Sequence, residues 1–305
     1  MRELLIDLIP WGVDVIVAIQ AASGVTLDPL FRAITWLGDS SVYLALVPLA
    51  LWQGDKARGM RIALLLLFSL YLNLLIKDAF AIPRPFVVST AVQAKDTASS
   101  YAFPSGHAQG AATLWLGLAI IYGRRAALAV GAFLIPAVSF SRVYLGVHYP
   151  QDTIGGILLG LAVIGAYCSM EPPFGRWWRR RNVGLQVALC ALGPLAMAAL
   201  TRGTYAHAVS GAILGLSLGR AIEGASSGRL PPPRATPWLV RLLVGLGIVG
   251  AGFVVAMLAV TVAYTGKIAA PAPVALGQAA LVGLAVSLGV PWLLGRLDEP
   301  EEAPP

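Results

Sequence analysis

Three short polar clusters break an otherwise apolar chain, and each carries side chains suited to handling a phosphate. The first runs from Lys77 to Arg84-Pro85, the second is Pro104-Ser105-Gly106-His107, and the third joins Ser141-Arg142 to His148 and Asp152. They gather three cations, the carboxylate of Asp152 and two of the chain's three histidines. A charged side chain at the centre of a membrane helix costs roughly 2.5–3.5 kcal/mol on insertion scales, so such residues read first as functional.

Cleaving a phosphate ester needs cations on the non-bridging oxygens, an in-line nucleophile and an acid for the leaving oxygen. Lys77, Arg84 and Arg142 supply the cations, and each arginine fork can hold two oxygens. Ser105 and Gly106 stand where a helix is predicted to begin, so backbone N–H groups and the positive dipole end face an anion. Gly106 adds no side chain to keep a phosphate away. His148 and Asp152 are spaced i,i+4, which puts both on one face of a helix that starts by residue 148, with Pro150 near its first turn. A carboxylate bonded to one imidazole nitrogen fixes the tautomer and leaves the other nitrogen free as nucleophile. His107, on a different span, then protonates the leaving alkoxide and later activates water.

The elements that must position these residues are membrane spans. The 305-residue chain is 57% hydrophobic and 12% charged, with a mean hydropathy of +0.76, whereas soluble domains carry about 25% charged residues. Some 20 apolar residues cross a ~30 Å hydrocarbon core, and spans are predicted at 40–53, 60–77, 107–122, 126–142, 152–170, 183–201, 206–222, 238–265 and 273–295. The expected fold class is all-α, a polytopic transmembrane helix bundle. Residues 1–34 are read as an interfacial amphipathic segment, because Asp7 and Asp14 lie about two turns apart within 3–22; a short span is the alternative there. Residues 35–172 form the catalytic transmembrane core, 173–297 add further spans, and 298–305 are an acidic, Pro-rich, disordered tail. Polar residues 86–103 and the loop 223–237, with Pro231-Pro232-Pro233, separate spans. Gly155, Gly156 and Gly160 suit close helix packing, and Cys168 and Cys190 lie within spans as small hydrophobes. The acid-dotted amino terminus does not read as a cleavable signal peptide.

The formal net charge of +7 comes from short basic clusters between spans, which is a topology signal and not a nucleic-acid surface. One set of connections holds fourteen basic residues, from Lys56 and Arg58 through Arg179, Arg180 and Arg181 to Arg296. The other holds eight, three of which are Lys77, Arg84 and Arg142. The positive-inside rule places the fourteen in the cytoplasm. All three polar clusters then share the extracytoplasmic face, of a bacterial inner or plasma membrane. Trp177-Trp178 read as an interfacial anchor, and His207, near Arg202 and Tyr205, as structural. No Cys or His pair has metal-ligand spacing.

The clusters resemble the type 2 phosphatidic acid phosphatase (PAP2) superfamily, whose pattern is Lys-x6-Arg-Pro, Pro-Ser-Gly-His, then Ser-Arg-x5-His-x3-Asp. This chain fits that pattern without a departure, and the likeness covers about residues 25–170. The resemblance implies that Lys77, Arg84, Ser105, Gly106 and Arg142 bind phosphate. It also implies that His107 is the acid, that His148 forms a phosphohistidine, that Asp152 orients it, and that no metal or other cofactor is needed. The activity implied is a membrane lipid phosphate phosphatase. Its substrate would be phosphatidate, phosphatidylglycerol phosphate, a polyprenyl diphosphate or a sphingoid-base phosphate, and the partners are that lipid and the bilayer. Two alternatives stand beside it: a phosphotransferase using the same intermediate, and a lipid transporter or scramblase suggested by the added spans. These residues select neither a headgroup nor an oligomeric state.

Overall fold

A computed structural model describes residues 1–39, 42–43, 51–52, 55–225, 237, 239–240, 242–247, 250 and 271–297 of the chain. The described residues form helices and their connections, with no strand among them. In order these are α1 (Arg2–Asp7), α2 (Ile9–Ser23), α3 (Asp28–Trp36), α4 (Lys56–Phe80), the short α5 (Pro85–Val88), α6 (Gly106–Tyr122), α7 (Arg125–Tyr144) and α8 (Pro150–Arg179). They continue as α9 (Val183–Ala199), α10 (Thr204–Ala225), α11 (Ala272–Leu284), a π-helical turn (Ala285–Gly289) and α12 (Val290–Leu297). Most predicted spans fall on these helices. Most of those at 40–53 and 238–265, most of the loop 223–237 and the tail 298–305 lie outside the described residues.

Five described segments are long and apolar enough to cross a bilayer: Arg2–Ser23, Lys56–Val88, Arg125–Tyr144, Pro150–Arg179 and Ala272–Leu293. The outer side of α8 exposes Ile154, Leu158 and Leu161 at i, i+4 and i+7, an apolar stripe that water would penalise and lipid solvates. The protein is an integral membrane protein built from helices.

The chain divides into two compact units: Met1–Ala45 with Phe68–Glu171, and Leu46–Leu67 with Pro172–Pro305. All three polar clusters lie in the first. There α2 and α1 bury Leu5, Ile9, Gly12 and Ile16 along one face while Asp7, Trp11 and Asp14 stay exposed. That buried face packs into a core with Ile82, Val92, Ala102, Val143 and Tyr149. Helix α8 comes close to α6 through Gly156 and Gly160: a Cβ at Gly160 would sit 2.7 Å from the Ala112 Cβ, and one at Gly156 would strike the Ser105 carbonyl.

A polar ladder holds α4 to α6. Ser69, Asn73 and Lys77 follow one another at i+4 on α4, and Ser105, Gln109 and Thr113 do the same beside α6. Asn73 Nδ2 donates to Gln109 Oε1 at 2.7 Å and to the Pro104 carbonyl at 3.2 Å. Gln109 Nε2 donates to the Ser69 carbonyl and hydroxyl, both at 2.8 Å, and the Ser69 and Thr113 hydroxyls bond at 2.9 Å. Interhelical hydrogen bonds in lipid average about 0.6 kcal/mol, so the ladder's larger effect is to fix the register of the two helices.

In the second unit α10 packs on α11 through Gly211 and Gly215, where a Cβ would enter the α11 backbone. Trp52 Nε1 donates to the Val286 carbonyl of the π-helical turn at 3.0 Å, and Lys56 pairs with Glu223 at 2.7 Å.

Candidate active site

Lys77 lies in the last turn of α4, and the Ala81 N–H closes on its carbonyl at 2.8 Å. Ala81 takes φ +49°, a left-handed turn that ends the helix, and Arg84 beyond it has extended backbone angles. Arg84 is the N-cap of α5. Ser105 is the N-cap of α6 with extended backbone angles, yet its hydroxyl caps nothing. The predicted helix start at Ser105–Gly106 is where α6 begins. A Cβ at Gly106 would meet Asn73 Oδ1 at 3.2 Å, so the ladder supports the turn from beneath.

Helix α7 ends at Tyr144, and Gly146 reverses the chain with φ +70°. A Cβ there would collide with the Gln93 carbonyl, so only glycine fits the reversal. The N–H groups of Val147 and His148 both return to the Arg142 carbonyl, at 3.2 and 3.3 Å.

Helix α8 begins at Pro150 and not by 148. Proline favours the first helical position and keeps the residue before it out of helical angles. His148 therefore precedes the helix, and Asp152 turns back toward it from the first turn. Asp152 Oδ2 accepts from the Tyr149 N–H at 2.9 Å and from His148 Nδ1 at 3.3 Å. The spacing thus pairs His148 with Asp152, but by a capping geometry.

His148 Nε2 accepts from Arg84 Nη1 at 2.8 Å. Arginine has no acceptor and always donates, so Nε2 carries the lone pair and Nδ1 the proton, the tautomer that Asp152 also demands. Burial first, then the charges of Arg84, Lys77, Arg142 and His107, holds His148 well below the ordinary histidine pKa. Of these four groups, Arg84 is the one in direct hydrogen-bond contact with the ring. Lys77, Arg84, Ser105, Arg142, His148 and Asp152 are all at most 7% exposed.

Each cation is held by its own partners. Lys77 Nζ donates to the Tyr101 carbonyl and, at 3.2 Å, to that of Ala102. Arg84 Nε donates to the Ser100 carbonyl at 2.7 Å and Nη1 to the Val147 carbonyl at 2.7 Å. Arg142 Nη1 donates to Thr35 Oγ1 at 2.7 Å and Asp96 Oδ2 at 2.6 Å. Of the buried side-chain polar atoms without a hydrogen-bond partner among the described residues, three belong to the polar clusters: Ser105 Oγ, Arg142 Nε and Asp152 Oδ1. Two of them are donors of the kind a phosphate oxygen accepts from.

His107, on the first turn of α6, lies with Nε2 3.6 Å from Asp39 Oδ2. His207 belongs to the second unit, where its Nδ1 donates to the Gly203 carbonyl at 3.0 Å. Among the described residues no three His, Cys, Asp or Glu side chains gather as a metal site.

The motifs did not point to Asp39, Asp96, Thr35 or Ser100, which partner His107, Arg142 and Arg84. Asp39, Asp96 and Ser100 sit in connecting segments, where nothing periodic fixes their direction, and Thr35 lies on the short α3. The ladder residues Asn73 and Gln109 were legible in principle, as polar side chains one helical turn from Lys77 and Ser105 within apolar runs.

The model of the PAP2 superfamily matches residues 58–176, a range that takes in all three clusters. Lipid phosphate phosphatase delta of Arabidopsis thaliana is 27% identical over 177 residues, 52% of this chain and 42% of that protein. The chain therefore spans less than half of the plant relative's length. "Putative undecaprenyl-diphosphatase YbjG" of Escherichia coli (strain K12) is 30% identical over 158 residues, 51% of this chain and 71% of that protein. A solved structure, the PAP2 type phosphatidylglycerolphosphate phosphatase from Bacillus subtilis, aligns with a TM-score of 0.44 at 25% identity, covering 52% of this chain and 86% of that one. Because the bacterial diphosphatase is matched over most of its length, and the family range spans every residue gathered around His148, the chain belongs to the PAP2 superfamily.

Proposed function

We propose that the protein is a lipid phosphate phosphatase that removes a phosphate from a lipid monoester or diphosphate through a phosphohistidine at His148. One observation carries this reading: a buried imidazole, its Nδ1 toward Asp152, turns its nucleophilic Nε2 toward the guanidinium of Arg84. The relatives named a lipid phosphate phosphatase and an undecaprenyl-diphosphatase support a lipid-borne phosphate as the substrate class.

As the phosphate enters, Arg84 Nη1 passes from His148 Nε2 to a phosphate oxygen, freeing the lone pair. Lys77, Arg142, Ser105 Oγ and the first-turn N–H groups at Gly106 share the remaining charge. The Nε2 lone pair forms the N–P bond as the P–O bond to the lipid breaks, and His107 gives its proton to the departing alkoxide. Asp152 stabilises the positive charge that builds on the ring without taking its proton. In the second half His107 takes a proton from water, the hydroxide oxygen bonds to phosphorus, and the N–P bond breaks to release inorganic phosphate. The cations do the electrostatic work of a metal, so no step runs through one, and EDTA leaves the rate unchanged.

The test is release of inorganic phosphate by purified protein from phosphatidate, polyprenyl diphosphate and sphingoid-base phosphate. His148→Ala lowers the rate by at least about 10⁴-fold, as loss of a nucleophile does. Undiminished release by that variant overturns the mechanism. Transfer of label to an added alcohol in place of water would assign the phosphotransferase reading.

A further inference from the structure

The segment between the first two clusters touches all three cations. Asp96 Oδ2 takes a hydrogen from Arg142 Nη1 at 2.6 Å. The Ser100 carbonyl and hydroxyl accept from Arg84 Nε and Nη2 at 2.7 and 3.1 Å. The carbonyls of Tyr101 and Ala102 accept from Lys77 Nζ. These acceptors are all oxygens, and Asp96 adds a full negative charge, so the segment presents to the cations what a phosphate presents.

The segment is pinned at both ends. Gln93 exchanges two hydrogen bonds with the Gln20 side chain, at 2.8 and 3.0 Å. The Lys95 N–H reaches the Leu145 carbonyl at 2.9 Å. Lys95 Nζ pairs with Asp28 at 2.7 Å, and Tyr144 donates to the same carboxylate at 2.6 Å. At the far end the Ala102 N–H bonds to the Ile82 carbonyl at 2.8 Å. Asp96 lies between these pins, aimed by the Thr97 N–H on its Oδ1 at 2.8 Å. Its side chain is 30% exposed against 3% for Arg142, so the carboxylate reaches the guanidinium from outside and can leave without opening the helices.

We propose that Asp96 sets the anion affinity of this site, as a built-in carboxylate competitor for Arg142 that an incoming phosphate group must outbid and that helps expel inorganic phosphate after hydrolysis. The proposal rests on the site being the phosphate site described above. Its physical basis is Coulombic: a carboxylate this close to a buried guanidinium cancels much of the charge that would otherwise attract a second anion. The opposing possibility is that Asp96 only orients Arg142. Thr35 and Asp96 together take both hydrogens of Nη1, so loss of an orienting carboxylate would weaken anion binding. The two roles differ in sign.

The experiment uses the full chain in detergent or nanodiscs and two probes, inorganic phosphate and orthovanadate. Affinity is read from the rise of the melting temperature with anion concentration, which needs no turnover, and from inhibition of phosphate release. Asp96→Asn keeps the volume but cannot accept at both side-chain positions and carries no charge. It is expected to bind both anions at least about tenfold more tightly, the worth of one charge-assisted hydrogen bond, with stronger inhibition by product phosphate. Thr35→Val, which removes a neutral acceptor from the same nitrogen, brings no such gain. Unchanged or weaker anion binding by Asp96→Asn overturns the proposal, as does a wild-type protein whose melting temperature ignores both anions. If anions bind as expected but no lipid phosphate is cleaved, the hydrolase reading fails while the role of Asp96 stands.

Discussion

His148 is held from two sides by groups that require the same tautomer. Asp152 accepts a hydrogen bond from its Nδ1–H, and Arg84 donates to its Nε2. Burial and the surrounding cations keep its pKa well below the ordinary histidine value of 6.5. The folded ring thus stays neutral through a pH range in which a free histidine would protonate. The proposed attack needs the neutral ring, so activity is expected to persist as pH falls through 6.5 and to fall when the ring takes a proton. The acid limb of kcat/KM, which reports the free enzyme, is expected below pH 6.5 after correction for the ionisation of the substrate. A limb centred at or above 6.5 would mean that another group controls the reaction. The residues of the proposed site stood out because ionisable groups are costly in apolar runs and these recur at ordered spacing. Their partners were not, since Asp39, Asp96 and Ser100 reach His107, Arg142 and Arg84 only through the packing of connecting segments.

Among the elements, the helices were legible from apolar run length, and their starts from Ser105-Gly106 and Pro150. The i,i+4 pair shares a helix face only if the helix starts by residue 148; Pro150 begins it and leaves His148 before it. The reversal at Gly146 makes that geometry possible. Gly146→Ala imposes a left-handed alanine and a collision with the Gln93 carbonyl. It is expected to cost at least about 2 kcal/mol of stability and to lower kcat by displacing His148; a melting temperature and kcat equal to wild type would contradict this.

The α1–α2 pair turns Leu5, Ile9 and Ile16 inward and leaves Asp7 and Asp14 exposed. Carboxylates are costly in hydrocarbon, which favours placing the pair in the interface although its length suffices for a crossing. Asp14→Cys, with Cys168 and Cys190 replaced, should therefore react with a membrane-impermeant maleimide in intact vesicles of the matching orientation. Protection of that thiol from both faces would put the segment in the hydrocarbon.

For the molecule as a whole, the distribution of basic residues supports an extracytoplasmic site and a cytoplasmic end marked by Arg179, Arg180 and Arg181. Ser99→Cys is then labelled from outside intact cells while Arg180→Cys is labelled only after permeabilisation, and the reverse pattern would invert the topology. The second unit left no chemical motif in the sequence, and its described contacts include glycines between α10 and α11, Trp52 on the π-helical turn and the Lys56–Glu223 ion pair. Its helices were readable as apolar runs. The π-helical turn at Ala285–Gly289 was not, because one extra residue in a turn leaves hydropathy unchanged.

The most direct measurement is rapid-quench peptide mass spectrometry, under alkaline conditions that preserve phosphohistidine, of the His107→Ala variant turning over p-nitrophenyl phosphate. That leaving group departs without an acid, and the second step is left without its base, so phosphate should accumulate on His148 and nowhere else. A phosphate-free His148 during continued nitrophenol release, or label on another residue, would contradict the account.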